Sequence, residues 1–75
     1  MEEKLREILD RYEQKIKDRE KYREDVISKI KFCEEHNFKE EVRVLTIEYL
    51  SINWIIINFR DMHEEITSML DYFKS

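Results

Sequence analysis

The sequence predicts an all-α fold: an antiparallel two-helix hairpin, coiled-coil-like, that dimerises into a four-helix bundle. Three observations carry this expectation. The 75 residues include no Gly and no Pro, the two residues that most disfavour a helix interior. Two runs of apolar residues step alternately by four and three, the seam pattern of a left-handed helix pair. The runs are out of register with each other at a single place, which marks a turn between two helices.

The first run follows Leu5, Leu9, Tyr12, Ile16, Arg19, Arg23, Val26, Ile30 and Cys33. It predicts helix 1 over about residues 2–35. The apolar stripe is narrow and the rest of the surface is charged. Glu2–Arg6, Glu7–Arg11, Glu13–Lys17 and Asp25–Lys29 are i,i+4 pairs in the favourable order, each worth about 0.2–0.5 kcal/mol on an exposed face.

From Cys33 to Phe38 the step is five residues, which no combination within one seam supplies. The break falls in Glu34-Glu35-His36-Asn37. Asn37 is read as an N-cap with Glu40 three residues on, the spacing of a capping box. A turn at about 36–37 is short, and short connections make helices antiparallel neighbours.

The second run follows Phe38, Val42, Leu45, Tyr49, Ile52, Ile56, Phe59, His63, Ile66, Leu70 and Phe73. It predicts helix 2 over about residues 38–73, the whole of 1–75 being one domain. Folding at the turn sets Ile30 against Val42, Ile16 against Ile56, Leu9 against His63 and Leu5 against Ile66. Apolar residues then face apolar residues along most of the seam, so pattern and topology agree.

Helix 2 carries a second apolar stripe: Val44, Ile47, Leu50, Trp54 and Ile57. At 3.6 residues per turn most of it lies opposite the seam. One hairpin cannot cover both sides. Burying such side chains gains about 1.5–3 kcal/mol each, a sum comparable with the stability of a small domain. These five residues are therefore the expected interface, and a second copy of the chain is the expected partner. Small domains without disulfides or metals commonly gain stability by oligomerising. A host protein is the other partner considered.

Charged residues on the helix 1 seam can set register. Arg19 and Arg23 occupy such positions, with Glu48 expected close by. Snorkelling, with the stems packed and the guanidinium groups in water, is the plainer reading. His63 on the helix 2 seam reads as a packed, hydrogen-bonded histidine.

No catalytic, cofactor or metal site is expected. Cys33 and His36 form one C-x-x-H pair, and there is no second Cys to build a zinc site. No Gly-rich loop exists to cradle phosphate. The formal net charge of −4 argues against bulk attraction to nucleic acid or anionic lipid. Residues 11–31 hold eight Lys or Arg against five Asp or Glu, so RNA or DNA binding along helix 1 is kept as an alternative, with Phe32 as a stacking residue. The acidic clusters at the turn and late in helix 2 suggest another, an inhibitor of a host nucleic-acid enzyme.

The most apolar stretch, Leu50 to Phe59, is ten residues long against the ~20 of a membrane span, and the first residues lack the apolar centre of a secretion signal. A single cysteine fits a reducing compartment. The expectation is a cytoplasmic, non-enzymatic regulator. Scarce Ala, Gly and Pro beside abundant Ile, Lys and Glu suggest an AT-rich coding sequence, as in a low-GC bacterium or its phage.

The layout resembles the plasmid-copy-number hairpin family, whose hairpins dimerise into a four-helix bundle and bind RNA. The resemblance is one of architecture. The seam here carries Ile, Leu, Tyr and Phe in place of that family's small core residues, and no binding residue carries over.

Overall fold

The computed structural model describes residues 1–74. It is all-helical: α1 spans Glu2–Glu35 and α2 spans Lys39–Lys74. The two form an antiparallel hairpin 56 Å long and 14 × 13 Å across. The helices run unbroken for 34 and 36 residues because nothing in the sequence interrupts them. The polar residues of α2 that compete with a helix backbone are accommodated within it. Thr46 donates to the Val42 carbonyl, Ser51 to that of Ile47 and Thr67 to that of His63. Acidic residues fill the first turn of each helix, Glu2 and Glu3 in α1 and Glu40 and Glu41 in α2, where the helix dipole favours negative charge.

The turn is built differently from the sequence expectation. Asn37 is not the N-cap of α2. Its φ of 60° places it in the left-handed region, one residue past the C-cap His36. The Asn37 N–H donates to the Glu34 carbonyl at 3.2 Å, and the Phe38 N–H donates to the Cys33 carbonyl at 2.9 Å. This pair of bonds is the Schellman motif, which satisfies carbonyls orphaned at a helix end. With no Gly in the chain, Asn is the residue type best able to take this conformation. His36 adds a bond from Nδ1 to the Phe32 carbonyl at 2.8 Å; because a carbonyl only accepts, Nδ1 carries the proton. The Val42 N–H donates to the Phe38 carbonyl, which opens α2.

Packing follows the two seams but is thin. The buried residues are Leu5, Val26 and Cys33 from α1, with Ile52, Ile56, Ile66 and Leu70 from α2. They form two separate clusters beside Cys33. Leu5, Ile66 and Leu70 lie together at the open end, flanked by Leu9 and Tyr12. Val26, Ile52 and Ile56 lie nearer the turn, flanked by Ile30, Leu45 and Tyr49. Between the clusters the rings of Tyr12 and Phe59 meet edge to face at 5.7 Å, and the Lys15 ammonium sits 5.6 Å from both ring centres.

Three seam positions, Phe38, Phe73 and His63, depart from expectation. Phe38 and Phe73, at the two ends of the second run, are exposed, one in the turn and the other at the open end of the hairpin. Arg19 is exposed, in line with the plainer reading of a guanidinium in water. His63 is half-buried and meets Glu13 at 3.1 Å, about one turn from the Leu9 neighbour expected for it.

Candidate functional site

The seam fixes which side of α2 faces α1, and so which side faces solvent. Ile52 and Ile56 are held against Val26. On the opposite side Val44, Ile47, Leu50, Trp54 and Ile57 are left 50–65% exposed. They continue over about four turns of a helix whose other side packs on α1. A shallow depression of ≈ 460 Å³ runs along it between Ile47, Leu50, Ser51, Trp54 and Ile55.

At the turn end the face runs into a wider groove of ≈ 580 Å³, whose lining includes Phe32, Val44 and Leu45 with Lys29, Glu40 and Glu41 at its rim. Phe32 projects half-exposed into this region, and its ring stacks on His36 at 4.2 Å, which in turn lies 5.9 Å from the Phe38 ring. This aromatic stack was not anticipated from the sequence. Its signal was present in the i,i+4 spacing of Phe32 and His36, which sets the two rings on one helix face.

The expected register-setting charges are placed in three different ways. Arg23 is half-buried and donates from Nη1 to Asn53 Oδ1 at 2.7 Å. Glu48 does not pair with either arginine; its carboxylate accepts a hydrogen bond from the Tyr22 hydroxyl. Arg19 projects into solvent. The Glu48 carboxylate raises the Tyr22 pKa above its ordinary 10.0, first through that hydrogen bond and then through its charge. A phenolate beside a carboxylate is disfavoured, so the proton is held. Two further polar contacts bridge the helices, the Arg60–Glu20 ion pair at 2.7 Å and a hydrogen bond between His63 Nε2 and Glu13 Oε1 at 3.1 Å.

The Cys33 side chain is buried and the nearby His36 Nδ1 is already committed to the Phe32 carbonyl. Among the described residues no group of three or more His, Cys, Asp or Glu side chains is placed to hold a metal ion.

The apolar character of α2 extends beyond the ten residues singled out in the sequence. An 18-residue stretch of it is long and apolar enough, by length and composition, to cross a membrane, and 11% of that stretch is buried in the hairpin. The same stretch contains the exposed face. Comparisons with protein-family models, with curated proteins and with solved structures give no match.

Proposed function

We propose that this chain is a small, non-enzymatic protein–protein interaction module that acts as a homodimer, two hairpins joining through the backs of their α2 helices into a four-helix assembly. One observation carries the reading: five large apolar side chains, Val44, Ile47, Leu50, Trp54 and Ile57, stand half to two-thirds exposed on one face of an ordered helix. Monomeric proteins seldom leave a contiguous apolar patch of more than a few hundred Å² open to water.

The face is large enough to contribute to self-association: five large apolar side chains stand half to two-thirds exposed on each copy, and pairing two such faces works toward the ~1,200 Å² at the lower edge of specific interfaces. The thin core favours the same outcome, since the hairpin buries seven apolar side chains and gains by oligomerising. A regulatory role in the cytoplasm of a low-GC bacterium or its phage belongs to the same proposal and rests on composition.

A membrane surface is the less favoured cover. Glu40, Glu41 and Asp61 lie around the face, and the net charge is −4, whereas helices that bind anionic lipid surfaces are rich in Lys and Arg on the polar side.

Sedimentation equilibrium over the micromolar range tests the reading. The wild-type chain should sediment as a dimer, and Trp54→Glu should shift it to monomer while far-ultraviolet circular dichroism stays helical. A wild-type chain that remains monomeric and well folded across that range overturns it.

A further inference from the structure

The back of α2 carries a seam of its own. Arg43, Ile47, Leu50, Trp54, Ile57 and Asp61 step by four, three, four, three and four, the spacing that keeps one side of a helix against a second helix. The order of side chains along it is nearly symmetric about position 52. A basic residue opens it and an acidic residue closes it. Isoleucine follows at each end, and Leu50 and Trp54 lie in the middle.

The end charges are uncommitted. Arg43 and Asp61 are both exposed. Among the described residues neither side chain takes part in an ion pair or hydrogen bond, unlike those of Arg6, Arg23 and Arg60. They stand 18 residues apart, about 27 Å along the axis at 1.5 Å per residue.

We infer that two copies of this chain meet antiparallel through this seam, with Arg43 of each copy opposite the partner's Asp61. The inference rests on the self-association proposed above and assigns its direction and register. In this alignment Ile47 faces the partner's Ile57, and Leu50 faces the partner's Trp54. Eight apolar side chains form the centre and an opposite-charge pair closes each end. One turn further out Glu40 meets the partner's Glu64, and this like-charge pair marks where the contact stops.

The parallel alternative in register is disfavoured by the same residues. It sets Arg43 against the partner's Arg43 and Asp61 against the partner's Asp61, replacing two attractive pairs with two repulsive ones. Opposed like charges select against a wrong pairing. Since α1 lies on the other side of α2, the four helices fall in an order with the α2 pair central and the α1 helices outermost.

Charge reversal separates the register from the dimer itself. Arg43→Asp and Asp61→Arg are surface changes on a stable helix, and each is measured by sedimentation equilibrium at low salt. Either single change should weaken the dimer by about tenfold or more, because each converts two symmetric attractive pairs into repulsive ones. The doubly exchanged chain, R43D/D61R, should return to within about threefold of wild type, and the differences should shrink as salt screens the rim.

Cysteine cross-linking reads the direction independently. In a Cys33→Ala background, an Arg43→Cys chain mixed with an Asp61→Cys chain should form disulfide-linked dimers, and Arg43→Cys alone should not. A wild-type dimer whose affinity ignores the single reversals, or an Arg43→Cys chain that cross-links to itself, overturns the register and leaves the dimer standing. A monomeric wild type removes both.

Discussion

Arg23 and Asn53, thirty residues apart in the chain, are joined by a hydrogen bond of 2.7 Å from Nη1 to Oδ1 across the two helices. The bond lies beside the Val26–Ile52–Ile56 cluster and is half-buried. Apolar seams tolerate sliding, since one Ile against another differs little from the next. A directed bond between two particular side chains does not, so this pair pins the offset of α1 on α2. Arg23→Met should cost about 1–2 kcal/mol, because it leaves the Asn53 amide unpaired in a partly apolar setting. A double-mutant cycle with Asn53→Leu, read by urea unfolding, should return a coupling of about 1 kcal/mol. Additive effects would show that the bond contributes nothing to register.

Asn37 sets the turn through its backbone. Because its φ is 60°, Asn37→Gly should be neutral or slightly stabilising. Asn37→Val should lose about 1–2 kcal/mol, the cost of a β-branched residue in the left-handed region. Had Asn37 acted as a side-chain N-cap, Asn37→Asp would be the benign change and glycine, with no side-chain acceptor, would cost about a few tenths of a kcal/mol instead of stabilising. Thermal melts of the three variants at one protein concentration distinguish these patterns.

The Tyr22–Glu48 pair predicts a pH effect at the alkaline end. The folded-state pKa of Tyr22 is raised above 10.0 by the Glu48 carboxylate. The bond therefore contributes its full stabilisation below the ordinary tyrosine pKa, and that contribution is lost as pH rises through the raised folded value. Glu48→Gln removes the charge and should move the transition back down toward 10.0. Tyrosinate absorbance, taken as the difference between wild type and Tyr22→Phe, isolates this residue from the other three tyrosines. An unchanged titration in Glu48→Gln would exclude the carboxylate as the cause.

Two adjacent isoleucines should behave differently. Ile56 is 1% exposed and Ile57 is 50% exposed. Ile56→Ala empties part of a closed cluster and should cost about 2–5 kcal/mol at any protein concentration. Ile57→Ala should leave a dilute sample nearly unchanged and lower stability only where the chain is concentrated enough to associate, since partner binding adds to stability by mass action. Melts at two concentrations a hundredfold apart test this; equal loss for Ile57→Ala at both would remove it from the interface.

Much of the architecture was legible in the sequence. The absence of Gly and Pro and the two stepping runs located α1 at its observed bounds and α2 to within a residue at each end. The five-residue step located the turn. These features are local, because helix periodicity and propensity are written within a few neighbouring residues. The apolar back of α2 was legible for the same reason, since spacing alone separates Val44, Ile47, Leu50, Trp54 and Ile57 from the seam.

Tertiary structure decided what spacing leaves open. Asn is favoured both at an N-cap and in a left-handed C-terminal turn, and only the backbone path between two antiparallel helices selected the second for Asn37. Arg19 and Arg23 occupy successive seam positions, yet Arg23 finds Asn53 and Arg19 turns to solvent. A straight helix drifts about 20° per heptad from its seam, and the facing side chains determine which long residue stays covered. Glu48 went to Tyr22 for a similar reason: a partner on another helix is fixed by axial offset and rotation, which depend on the packing of both helices. The sequence alone thus determined the helices, their break and the uncovered face, and the packed pair decided which polar groups hold the helices together.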